Sequence, residues 1–301
     1  MSERARGHLA MLLFSMLVAG SFSLGASAAN EIAPPVLNLV RFLIAAAILG
    51  TLAVVLVPRV RWRQARQAPW RYFVLGGLFS IYFVLMFEGL KTAPPVSAAA
   101  VFTLTPVLAG GFGYLVLRQR MTARMALALA IGAAGAIWVI FRADLVAILA
   151  FQVGRGEAIY FVGCAAHALY TPMVAKLNRG EPPLLFTFGM LMAGAVILGV
   201  VGTPAVAATQ WGALPPIVWV TILYTAVFAS AATFVLLQYA TLRLPSAKVM
   251  AYTYLVPAWV IGWELVRSGA GAPWAVASGV AATLLALGLL LKDEAPVERA
   301  A

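Results

Sequence analysis

Five ionisable residues of this 301-residue chain, Arg41, Glu88, His167, Lys248 and Glu264, sit within long apolar stretches. A charged group at the centre of a bilayer costs about 2.5–3.5 kcal/mol even on insertion scales, so such groups turn inward and mark ion or solute paths. Arg41 lies about 8 Å into its stretch, counted from Val36 at 1.5 Å per residue. Glu88 and Glu264 approach the ends of theirs at the same level, so a pair between Arg41 and either carboxylate is expected. Such a pair is either structural, with snorkelling toward the interface, or a gate that breaks when the path opens. Either carboxylate is also a candidate proton-coupling group.

His167 falls midway along its stretch, on one face with Tyr160, Cys164 and Thr171 at helical spacing. That face is either a packing surface or a contact for a small molecule. Phe79, Tyr82, Phe83 and Met86 form an aromatic stripe and Tyr252, Trp259 and Trp263 another; Tyr252, Tyr254 and Trp259 lie deeper and are expected to line a cavity for amphipathic or aromatic molecules. Pro106 and Pro257 each remove a backbone donor and predict helix kinks. Thr103, Thr105 and Tyr254 flank those kinks, where they can bond freed carbonyls or a ligand. Tyr82, Gln238 and Lys248 complete the expected path. Cys164 is the single cysteine, which leaves no disulfide within the chain and no multi-cysteine metal site.

The elements that position these residues follow from composition. The chain is 63% hydrophobic and 10% charged, with a mean hydropathy of +0.96, against roughly 45–50% and about 25% in soluble domains. At about 20 apolar residues per span, its length accommodates ten spanning helices. The apolar segments fall near 9–29, 36–57, 70–90, 95–117, 122–141, 155–175, 183–201, 215–239, 246–266 and 272–291. The first imitates a signal peptide, with Arg4 and Arg6 before it and Ala26-Ser27-Ala28-Ala29 at its end. Its length and its later counterpart make it helix 1.

The net charge of +11 does not predict nucleic-acid binding, because the basic residues sit in short clusters between apolar runs rather than on one exposed face. They report topology instead. With the N-terminus inside, fifteen of the 21 Lys and Arg are cytoplasmic, Lys292 and Arg299 among them, and four are outside. By the positive-inside rule, both termini are expected to be cytoplasmic in a bacterial-type inner membrane.

An internal repeat organises the spans. Gly89 through Pro94 to Pro106 lies over Ala240 through Pro245 to Pro257 at a constant offset of 151, and Asn30 through Pro34-Pro35 lies over Asn178 through Pro182-Pro183 at 148. Each unit holds five helices, an odd number, so the second enters the membrane from the opposite side. The expected fold is all-α integral membrane, ten helices in two inverted-topology repeats, 1–148 and 149–301. Inverted repeats of this kind hold a solute near the midplane between the halves. The repeated prolines are scaffold, whereas the ionisable residues are not repeated: Glu88 lies over Tyr239, and His167 over Ala19.

Gly20-Ser21-Phe22, Pro34-Pro35 with Arg41-Phe42, Gly89-Leu90-Lys91 running into Thr103-Leu104-Thr105-Pro106, and Gly132 with Gly135 resemble the drug/metabolite transporter superfamily, specifically its ten-helix EamA-type branch. The resemblance covers nearly the whole chain. The chain departs from the pattern at Ala19, where the family often has tryptophan, and at Gln119-Arg120, where it often has glutamate. The resemblance implies an inner-membrane carrier, often an exporter of amino acids, metabolites or drugs, with a small-molecule solute, the lipid bilayer and a proton or counter-solute as partners. No HExxH, GxSxG or phosphate-binding loop occurs, so neither an enzyme nor a metal or cofactor is expected. A passive channel and an intramembrane enzyme on lipid-linked substrates are the competing readings.

Overall fold

The computed structural model describes residues 3–150, 152–269 and 273–291. Among the described residues ten helices are long and apolar enough to cross a membrane: α1 (Glu3–Ala28), α2 (Pro34–Leu56), α3 (Trp70–Gly89), α4 (Pro95–Leu117), α5 (Ala123–Ile140), α6 (Arg155–Leu177), α7 (Pro183–Val201), α8 (Pro216–Thr241), α9 (Ser246–Arg267) and α10 (Trp274–Leu291). Short helices at Arg59–Ala65, Leu145–Leu149 and Thr203–Ala208 lie in the connections, and no strand occurs among the described residues. The chain is a multi-pass membrane protein. Lys292 and Arg299 lie outside the described residues. Relative to the expected bounds, α1 starts six residues earlier, at Glu3, which pairs with Arg243 at 2.7 Å.

Several helices begin where the sequence supplies proline in the first turn, as at Pro34, Pro95, Pro183 and Pro216, where the missing N–H is one the helix leaves unbonded anyway. Large apolar residues such as Val54, Val55, Leu149, Val200, Val201 and Val266 are exposed. In a bilayer these contact lipid, which offers no penalty for them. Trp70 and Trp274 stand exposed at the starts of α3 and α10, the position of interfacial anchors.

The helices pack with two-fold pseudosymmetry. α3 packs on α6 as α8 packs on α1; α3 packs on α7 as α8 packs on α2; and α2·α7 and α5·α10 pair equivalent helices with each other. Close approaches use glycine. A Cβ on Gly89 would come within 2.6 Å of the Gly156 carbonyl, and one on Gly135 within 2.6 Å of the Gly279 carbonyl. Phe83 and Phe234, equivalent under the 151 offset, stack with ring centroids 5.6 Å apart, so they meet on the pseudosymmetry axis.

Both prolines of the matched helices coincide with interruptions. α4 is broken between Phe102 and Thr105, and Pro106 is the second residue of its second half. α9 passes through a 3-10 turn at Tyr252–Leu255 before resuming at Val256-Pro257. A third irregularity has no proline: α8 carries a π turn at Val227–Ala232.

Candidate functional site

The centre of the bundle is an aromatic cage around His167. Its residues come from α3 (Phe79, Tyr82, Phe83), α4 (Phe102), α6 (Tyr160, His167, Tyr170) and α8 (Phe234), hence from both halves. The 79, 82, 83 spacing puts three rings on one face of α3, and 160, 167, 170 does the same on α6. Gly163 lets α6 come close to α3, since a Cβ there would lie 3.0 Å from the Tyr82 carbonyl. His167 is 1% exposed. Its ring stacks on Tyr82 at 4.4 Å and on Phe102 at 5.4 Å, and meets Phe79 edge-on at 5.3 Å. Neither ring nitrogen has a hydrogen-bond partner. A buried polar group without a partner costs about 1–3 kcal/mol, so these two nitrogens are acceptor and donor capacity held in reserve.

The cage carries further polar edges. The Tyr82 and Tyr160 hydroxyls lie 3.1 Å apart. Gln238 Nε2 donates to the Tyr170 hydroxyl at 2.8 Å, and that hydroxyl donates to Met190 Sδ at 3.0 Å. Gln238 Oε1 has no partner. Tyr82, Tyr160, His167 and Gln238, four of the expected path residues, therefore come together.

Arg41, fully buried on α2, adjoins the cage. Its Cζ lies 3.7 Å from the Phe83 ring centroid. Nε donates to Ser230 Oγ at 2.6 Å, Nη2 to the Ala229 carbonyl at 2.7 Å and Nη1 to Asn38 Oδ1 at 3.3 Å. Ala229 and Ser230 belong to the π turn of α8, whose wider winding presents a carbonyl to a partner outside the helix. The expected pairing of Arg41 with Glu88 or Glu264 does not form. Glu88 pairs with Lys91 at 2.6 Å and Glu264 with Arg267 at 2.8 Å, each three residues along its own chain segment. A cation three residues away is reached with little further burial, whereas reaching Arg41 would drag a carboxylate into the centre of the bundle.

The second aromatic stripe does not line the cage. Tyr252 bonds His8 Nδ1 at 3.1 Å. The Tyr254 ring lies on Gly132, among residues of α5 and α10. Trp259 is 38% exposed and donates to Ser15 Oγ at 3.3 Å. Tyr252 and Tyr254, two residues apart, face nearly opposite ways on any helix, and the 3-10 turn at Tyr252–Leu255 rotates about 120° per residue instead of about 100°, which shifts Trp259 beyond it. Thr103 and Thr105 bond the carbonyls of Ala100 and Phe102 at 2.6 and 2.7 Å at the break in α4, and the Thr105 hydroxyl also lies 3.3 Å from Thr253 Oγ1 in the 3-10 turn of α9. Lys248 is 7% exposed at the start of α9. Gln119 Oε1, at the position of the family's glutamate, accepts from the Ser246 amide at 3.2 Å and so serves the first turn of α9.

Sequence reading missed a buried ion pair. Arg71 Nη2 and Glu181 Oε1 are 2.5 Å apart with both side chains at or below 1% exposure. Arg71 also donates to the Leu177 carbonyl at 2.6 Å, and Glu181 Oε2 accepts from the Arg179 amide at 2.6 Å. The pair closes the N-terminal face between α3 and the α6–α7 connection. A signal was available: Glu181 is the one acidic residue between Glu157 and Glu264. On the opposite face Ser97 Oγ donates to the buried Glu157 carboxylate at 2.7 Å, joining α4 to α6. Phe234 was also readable, as the counterpart of Phe83.

A family model described as the EamA-like transporter family matches residues 5–141 and 154–292. The chain is 26% identical over 285 residues to the uncharacterized transporter YyaM of Bacillus subtilis (strain 168), covering 94% of this chain and 92% of that one. A protein of known crystal structure is similar with a TM-score of 0.71 at 21% identity, covering 96% of each chain, which is a likeness of fold.

Proposed function

The chain belongs to the EamA-like transporter family, and from that membership we propose that it is a secondary carrier that exports or exchanges small organic solutes by alternating access. The observation that carries this reading is the cage around His167. It lies between the two repeats, where inverted-repeat carriers hold their solutes, and it combines a wall of rings with polar atoms that have no partner. Its rings fit an apolar or aromatic solute body; its unpaired nitrogens fit a polar substituent. His167, Tyr82 and Tyr160 are closed to solvent from both faces, which supports a gated carrier over an open channel. The bias of Lys and Arg toward the N-terminal face supports a cytoplasmic N-terminus and C-terminus in a bacterial-type inner membrane.

Proteoliposome flux tests the reading. Radiolabelled amino acids, organic acids and amphipathic amines are presented with and without a pH gradient. Saturable uptake accelerated by unlabelled solute on the far side is expected for at least one class. Flux that rises linearly with concentration without counter-stimulation would favour a channel, and no flux at all would count against transport of small solutes.

A further inference from the structure

The connection from α2 to α3 gathers charge that its own stretch of chain leaves unanswered. No acidic residue lies between Glu31 and Glu88, whereas Arg59, Arg61, Arg63, Arg66 and Arg71 all fall there. Arg71 is engaged with Glu181. Arg59, Arg63 and Arg66 are exposed and form no ion pair among the described residues. They recur at helical spacing, and the Arg66 amide bonds the Trp62 carbonyl at 3.2 Å, so the winding of the short helix Arg59–Ala65 carries all three along one side.

That side forms a groove of about 760 Å³ with the end of α2, its walls made by the three arginines together with Val54, Val60 and Trp62. The volume falls within the roughly 300–1,000 Å³ of small-molecule sites. The groove is anchored on three spans. Val54 belongs to α2, the Tyr72 hydroxyl of α3 donates to the Ala65 carbonyl at 3.1 Å, and Trp62 meets Phe188 of α7 edge-on at 5.8 Å.

We propose that this groove binds one anionic phospholipid, with its phosphate held by Arg59, Arg63 and Arg66 and its acyl chains along Val54 and Val60. The proposal goes beyond the carrier reading and does not depend on it. Guanidinium forks match phosphate oxygens in geometry and charge, and basic clusters just beyond a spanning helix attract anionic headgroups. A free phosphate would answer the arginines and leave Val54 and Val60, both exposed, uncovered. A lipid answers both.

The repeat separates this reading from a charge that serves topology alone. Under the 148 offset residues 59–66 lie over 207–214, in a connection with no Lys or Arg. That connection also lines a groove, with Ala208 and Leu214 beside Glu31. Both halves thus build a groove here and only the first makes it cationic. Orientation by positive charge asks for basic residues on one face, not for their convergence on an apolar wall.

Native mass spectrometry of the detergent-purified chain tests the proposal, with phosphatidylglycerol and phosphatidylcholine of the same acyl chains as ligands and inorganic phosphate as competitor. The wild type is expected to bind one phosphatidylglycerol at least about tenfold more tightly than phosphatidylcholine. Arg59→Gln, Arg63→Gln and Arg66→Gln are each expected to weaken phosphatidylglycerol about fivefold, the worth of one basic residue at an anionic headgroup, without changing phosphatidylcholine. Arg118→Gln/Arg120→Gln/Arg124→Gln removes three charges at the α4–α5 connection and is expected to keep the preference. Equal affinity for the two lipids overturns the proposal. So does an equal loss in the α4–α5 variant, which would show diffuse surface charge. Displacement of the lipid by millimolar inorganic phosphate overturns the lipid as occupant in favour of a free anion. If the substituted proteins do not fold, the wild type decides: sodium chloride must weaken phosphatidylglycerol and not phosphatidylcholine, and equal salt dependence overturns the site. No arm measures flux, so each failure leaves the carrier reading standing.

Discussion

Arg71 of α3 and Glu181 of the α6–α7 connection meet at 2.5 Å with no solvent access to either, joining the two repeats on the N-terminal face. Burying both charges is costly, and their attraction with the surrounding hydrogen bonds offsets that cost only while both are present. Arg71→Met or Glu181→Gln alone is expected to destabilise by about 3–5 kcal/mol, read as a lowered midpoint of thermal unfolding in detergent. The double replacement Arg71→Met/Glu181→Leu should recover most of that loss. Additive losses in the double variant would show that the two residues do not act as a pair.

The same pair sets a pH dependence. Burial raises the Glu181 pKa, but the hydrogen bonds from Arg71 and from the backbone amides, with the attraction of Arg71, outweigh it and hold the carboxyl below its ordinary value of 4.5. A carboxyl depressed in the folded state contributes stability above its unfolded pKa, and that contribution is lost as pH falls through the folded value. Thermal stability should therefore decline below about pH 4.5, the unfolded carboxylate value, and Glu181→Gln should flatten that part of the profile.

His167→Phe keeps the stacking with Tyr82 and Phe102 and removes two unpartnered nitrogens, so thermal stability should hold or rise. If a solute bonds the imidazole, its KM should increase about fivefold to tenfold, the worth of roughly one hydrogen bond. Unchanged KM for every carried solute would reduce the residue to packing.

Cys164 reports opening of the cage. It is buried beside Tyr160, and the adjacent end of α3 meets α6 through Gly89 and Gly156. Gly156→Leu should wedge these helices apart, at about 1–3 kcal/mol of overpacking, and raise the rate of Cys164 labelling by a maleimide in folded protein. A labelling rate equal to that of the wild type would argue against opening at this contact.

Orientation is tested with alkaline phosphatase fusions, which are active only outside the cytoplasm. A fusion in the charge-free connection 202–215 should be active, and one after Arg66 inactive. The reverse pattern would invert the proposed topology.

The sequence determined whatever depends on local chemistry. Apolar length set the ten spans, proline placed the breaks in α4 and α9, and the common offset of those prolines revealed the repeat before any contact was known. The cage was half legible, because Tyr82, Tyr160 and His167 share helical faces that period alone identifies. What only the tertiary structure decided is which way each helix turns and what each charge meets. Arg41 found a π turn that no residue type announces, Glu88 and Glu264 found cations three residues away, and Trp259 was turned away by the 3-10 segment that precedes it. The physical reason is that burial of apolar area is nondirectional and written along the chain. Pairing a buried charge needs a partner within a few ångströms, and helices distant in sequence supply it only after they pack.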